Sequence, residues 1–153
     1  MSHHTFTAEP DSLVMLSTYI FDAPASRVFA AYTDPTLIPK WWIDPSSPLN
    51  VEVMDVREGG QWRFINTVGG DEYLFRGVYH KVVKGELLVG TWAFEAVPSV
   101  MLHTVTFEEL SGGKTRLTDQ MIFQSVEERQ AMMESGMNED SVVAMMDRLA
   151  RLV

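Results

Sequence analysis

From residue 51 to residue 124 the chain is a series of apolar runs separated by short glycine-bearing breaks. The runs cover residues 51–56, 61–68, 72–83, 86–95, 100–110 and 114–124. The breaks include Gly59-Gly60, Gly69-Gly70-Asp71, Lys84-Gly85 and Ser111-Gly112-Gly113. This spacing and turn chemistry predict an antiparallel meander of strands joined as hairpins. Residues 13–21 (LVMLSTYIF), mostly apolar and bounded by Asp and Pro, read as a further strand ahead of the series. A sheet of seven strands is the expectation.

Helical patterns flank the sheet. Pro24 suits a first helical turn, and Val28, Phe29, Ala31 and Tyr32 recur at helical spacing after it. Asp34-Pro35 offers a cap and a start for a second short helix, which Pro39 limits. Residues 43–49 (IDPSSPL) read as a loop. Towards the C-terminus, residues 127–135 form a short helix that Gly136 can end. Asn138 can cap a longer one reaching about Leu152. Val142, Met145, Met146, Leu149 and Val153 lie on one stripe of that helix.

Strand alternation sorts the side chains into faces. Tyr73, Phe75, Gly77 and Tyr79 share one row, and so do Trp62, Phe64 and Asn66. Leu88, Gly90, Trp92 and Phe94 form another, Met101, His103, Val105 and Phe107 the next, and Leu117, Asp119, Met121 and Phe123 the last. These aromatic-rich rows need an apolar cover, and the Met-bearing C-terminal helix supplies one. A curved sheet wrapped around a long helix leaves room for an apolar pocket with a few polar groups inside.

Composition narrows the function. The 153 residues make one domain of ordinary apolar content, with the polar start (residues 1–11) expected to be flexible. The net charge of −9 argues against nucleic acid and against an anionic membrane surface, both of which need clustered Lys and Arg. There is no cysteine, which excludes disulfides, thiolate nucleophiles and Cys-based zinc sites. No secretory signal or membrane-spanning run is read, so a cytoplasmic location is expected.

The ordered motifs resemble a known superfamily. V-F-x-A-x-T-D-P-x-L-I-x-x-W-W ends at the Trp41-Trp42 pair, and D-x-R-x-G-G-x-W-R-F runs from Asp55 to Phe64. F-R-G-V-Y begins at Phe75, L-L-V-x-T-W at Leu87, V-T-F-E-E at Val105 and G-G-x-T-R-L-T at Gly112. Together they resemble the START-like (SRPBCC, helix-grip) superfamily, in the branch named for activators of the ninety-kilodalton heat-shock chaperone's ATPase. The resemblance implies an α+β helix-grip fold, with a curved antiparallel sheet around a long C-terminal helix and two short helices after the first strand. It brings no fixed catalytic triad or metal motif. Its members include ligand carriers, polyketide cyclases and chaperone activators.

The residues themselves leave several chemistries open. The histidines are His3, His4, His80 and His103, with no H-E-x-x-H arrangement, so no metal and no cofactor are expected. His103 and Asp119 share parity with apolar inward residues. His103 is either an acid/base group inside the cavity or a hydrogen-bonded interior histidine, and Asp119 either an acid/base group there or a carboxylate near the strand end or paired with a cation. Asp55 and Arg57, two apart, are read either as an ion pair fixing the Gly59-Gly60 turn or as cavity-lining residues. Trp41 and Trp42 either gate the pocket mouth or fill the core. The expected walls are Trp41, Trp42, Trp62, Phe64, Phe75, Tyr79, Trp92, Met133, Met137 and Met145, with His103 and Asp119 as polar anchors.

Three functions fit. The first is a module that binds a small apolar or aromatic molecule without transforming it. The second is a cyclase or hydrolase for a polyketide-like substrate, with His103 or Asp119 as acid/base. The third is a chaperone or stress-response accessory that meets a protein partner, as a monomer or homodimer.

Overall fold

A computed structural model describes residues 3–153. The chain is α+β: β1 His4–Thr7, β2 Val14–Phe21, α1 Ala25–Thr33, a 3-10 turn Ile38–Lys40, β3 Leu49–Met54, β4 Gln61–Val68, β5 Asp71–Val83, β6 Leu87–Phe94, β7 Val100–Leu110, β8 Lys114–Ile122, α2 Val126–Glu134 and α3 Glu139–Leu152. The strands form one antiparallel sheet in the order β1-β2-β8-β7-β6-β5-β4-β3. From β3 to β8 each strand pairs with the next in sequence, the meander that the glycine breaks predict.

The sheet has eight strands rather than the expected seven. The additional one is β1, which pairs with β2 from His4↔Tyr19 to Thr7↔Leu16. Its polar composition hid it. Yet HTFT alternates, with Phe6 packed against the core and the hydroxyls of Thr5 and Thr18 bonded at 2.6 Å on the other side. The part of the start expected to be flexible therefore includes a strand that covers an edge of β2. Met1 and Ser2 lie outside the described residues.

Two further boundaries differ from expectation. Pro39 does not end an α-helix after Asp34; it sits inside the three-residue 3-10 turn. The Asp34 carboxylate is held locally instead, accepting from the Thr36 amide at 2.8 Å. The loop after Trp42 is shorter than composition suggests. Asp44 turns it by accepting from the Ser46 amide, and β3 is already running at Leu49. Asp55 and Arg57 do pair, at 2.8 Å, in the turn beyond β3 rather than on the strand.

The inner face carries the rows that alternation sorts. Trp62, Phe64 and Asn66 are buried on β4, Met101, Val105 and Phe107 on β7, and Leu117, Asp119 and Met121 on β8. Helix α1 packs there through Phe29 and Tyr32, whose rings meet Phe107 edge-on at 5.3 and 5.4 Å. Helix α3 buries Met146 and Leu149 and is tied to β2 by the Tyr19 hydroxyl, which donates to Asp147 at 2.8 Å. Asn138 caps α3 through a reciprocal box with Ser141. Among the described residues no helix is long and apolar enough to cross a membrane.

Candidate functional site

Between the inner face and α3 lies a cavity of 480 Å³. Its floor is made of buried side chains from α1, the sheet and the tryptophan pair: Tyr32, Trp41, Trp92, Asp119 and Met121. Its rim is exposed, with Val68 and Tyr73 at the β4–β5 hairpin facing Ser135, Gly136 and Ser141 from the α2–α3 junction. The wall between is apolar, from Phe75, Phe94, Met132, Met137, Val142 and Met145. A well-packed interior has few voids larger than a water molecule, so a space of this size is a feature of the fold rather than a packing defect.

The Trp41-Trp42 pair divides its labour. Trp41 is only 1% exposed, packs tilted against the Tyr32 ring and donates its indole N–H to the Ala31 carbonyl at 2.9 Å. It locks the end of α1 onto the 3-10 turn and presents one edge to the cavity. Trp42 is half-buried and stands among Phe75, Phe64, Trp92 and Trp62, with ring centres 4.9 to 6.3 Å away. It lines both the large cavity and a second one of 70 Å³, as do Tyr32, Trp92 and His103, and these four side chains form the partition between them.

That partition sorts the expected wall residues. Trp41, Trp42, Phe75, Trp92, Met137, Met145, His103 and Asp119 line the large cavity. Trp62, Phe64 and Tyr79 line only the small one. Met133 lines neither; it faces an outer groove with Ala8 and Pro10. On α2 the inward methionine is Met132, which is buried on the helix together with Arg129.

His103 and Asp119 meet inside the cavity, His103 Nε2 lying 2.9 Å from Asp119 Oδ1. They are diagonal neighbours, since Val105 is directly opposite Asp119 and His103 opposite Met121. A hydrogen bond between the two side chains joins the strands across the cavity face. The ring is thereby oriented and the second carboxylate oxygen is left open. Such a pair can accept from a ligand hydroxyl or act as an acid/base group.

Tyr32 and Arg148 were not among the residues singled out for the site. Helical spacing marks Tyr32 as core, and it is, but its hydroxyl is buried with no hydrogen-bond partner among the described residues. Burial, and then the charge of Asp119, push its phenol well above the ordinary range, so it stays a neutral O–H donor. Arg148 donates Nε–H to the Trp41 carbonyl at 3.0 Å and lines the cavity and an outer groove alike. Neither role has a sequence signal, because each depends on which helix crosses the sheet above which strand. Among the described residues no cluster of His, Asp or Glu could hold a metal ion.

Comparison with known proteins agrees with this architecture. Residues 22–153 match the family described as Activator of Hsp90 ATPase homolog 1-like protein. Protein Ms6760 of Mycobacterium smegmatis is 26% identical, with a TM-score of 0.86 over 97% of this chain and 95% of that one. An Arthrobacter aurescens protein is 24% identical, with a TM-score of 0.86 over 95% of this chain and 88% of its own. A Rhodobacter sphaeroides protein is 21% identical, with a TM-score of 0.84 over 97% and 96% respectively. The last two likenesses concern the fold alone. No curated protein matches the sequence.

Proposed function

We propose that this chain, which belongs to the Activator of Hsp90 ATPase homolog 1-like family, binds a small hydrophobic or aromatic molecule between its sheet and its C-terminal helix. The observation that carries this reading is the 480 Å³ cavity, walled by aromatic and methionine side chains and open at one rim. Its volume is about three times the roughly 150 Å³ of an engineered cavity that takes up benzene, so a ligand of two or three fused rings has room. Trp42, Phe75 and Trp92 offer ring faces and edges for stacking. Met132, Met137 and Met145 adapt their shape to the ligand at little cost.

The test fills the cavity from within. Met145 lines it from α3 while remaining only half-buried, so Met145→Trp puts an indole into the space with little change to the core. The neutral fluorescent probe N-phenyl-1-naphthylamine should bind the parent protein and lose about tenfold or more in affinity for the variant, with the melting temperature held. Equal affinity for the two proteins would count against this cavity as the binding site.

A further inference from the structure

The floor of the cavity carries one donor without a partner, on Tyr32, and one acceptor with an oxygen to spare, on Asp119. Tyr32 is 9% exposed and lines the space from α1, and its hydroxyl finds no partner among the described residues. Asp119 lines it from β8 and spends one oxygen on His103. The rest of the lining nearby is apolar, from Trp41, Trp92 and Met121, apart from Ser17, which stands directly opposite Asp119 on β2. A buried hydroxyl left unpaired costs free energy, and an open carboxylate oxygen in an apolar wall is a strong acceptor.

We propose that the ligand is a neutral aromatic molecule carrying a hydroxyl group, which donates to the open oxygen of Asp119 and accepts from the Tyr32 hydroxyl. A hydroxyl does both with one atom. A carbonyl or ether could accept from Tyr32 but leave the carboxylate unpaired. An ammonium could donate to Asp119 but offer Tyr32 nothing. A carboxylate would meet the negative charge of Asp119. The high phenol pKa of Tyr32, which keeps its proton in place, supports the same assignment.

This inference rests on the cavity being the ligand site, and its test separates the two. Naphthalene, 2-methoxynaphthalene and 2-naphthol share one ring system and differ in hydrogen bonding: none, acceptor only, and both. Calorimetric titration at neutral pH should rank them in that order, with 2-naphthol about tenfold tighter than naphthalene. In Tyr32→Phe the advantage of both oxygen-bearing compounds should shrink, while naphthalene affinity and melting temperature are kept or improved. In Asp119→Leu only the advantage of the naphthol should shrink; should that variant fail to fold, Tyr32→Phe decides alone. If all three bind the parent protein equally, or the naphthol keeps its advantage in Tyr32→Phe, the hydroxyl assignment is overturned and the cavity reading stands. If none of the three binds, both fall.

Discussion

Trp62 shows how a single missing side chain shapes the site. On β5 its direct partner is Gly77, and a Cβ built there would lie 2.4 Å from the Trp62 indole nitrogen and 2.0 Å from the Thr91 carbonyl oxygen. The indole therefore lies against bare backbone, with the ring of Phe64 tilted against it at 4.8 Å and that of Trp42 edge-on at 6.3 Å. One of the clashing atoms is backbone and cannot swing away. Gly77→Ala should consequently destabilise the fold by about 1–3 kcal/mol, read as a lower denaturant midpoint. An unchanged midpoint would mean that β5 and β6 can part at no cost. The identity of Gly77 is plain in the sequence, and its parity with Phe75 and Tyr79 is legible too. The reason it must be glycine is not, because Trp62 and Thr91 reach it from two other strands.

Helix α2 carries the clearest contrast between adjacent residues. Met132 is 1% exposed and looks into the cavity, whereas Met133 is half-buried and looks out towards the N-terminal segment. Both were legible as parts of a methionine-rich cover. Their order was not, since α2 has no clean apolar stripe and the side that it buries carries Arg129 as well as Met132. That guanidinium is buried and donates to the Glu9 carbonyl at 2.7 Å, tying the helix to the N-terminal segment. Met132→Ala should cost about 2–5 kcal/mol, and Met133→Ala about 1 kcal/mol or less. Equilibrium denaturation of the pair measures the difference, and equal losses would place both methionines on one face. By contrast, the apolar stripe of α3 was read correctly, because its period is long, uninterrupted and begun by a capping box.

At the scale of the molecule, three tyrosines with raised phenols, Tyr19, Tyr32 and Tyr79, make stability depend on alkaline pH. Burial, followed by the hydrogen bond to Asp147, pushes the Tyr19 phenol up to about 12. Burial, followed by the charge of a nearby aspartate, also raises Tyr32 and Tyr79. In the unfolded chain a tyrosine ionises near about 10. Above that pH the unfolded state binds fewer protons than the native one, so the free energy of unfolding falls as pH rises. Tyr19 contributes fully below about 10, and its contribution is lost as pH climbs through about 12. Denaturant midpoints between pH 8 and 12 should decline, and less steeply in Tyr19→Phe; a flat profile would show that these phenols ionise equally in both states. The sequence by itself determined the strands from residue 51 onward, their antiparallel order, their inner rows and the long capped helix. Those depend on periods of two and 3.6 residues and on turn chemistry, which are local. Only the tertiary structure decided that β1 pairs at the edge, that Trp41 locks α1 while Trp42 shares in the partition of two cavities, and that Tyr32 and Asp119 share a floor. Each of those depends on where distant segments meet, and side-chain parity along one strand carries no information about what crosses above it.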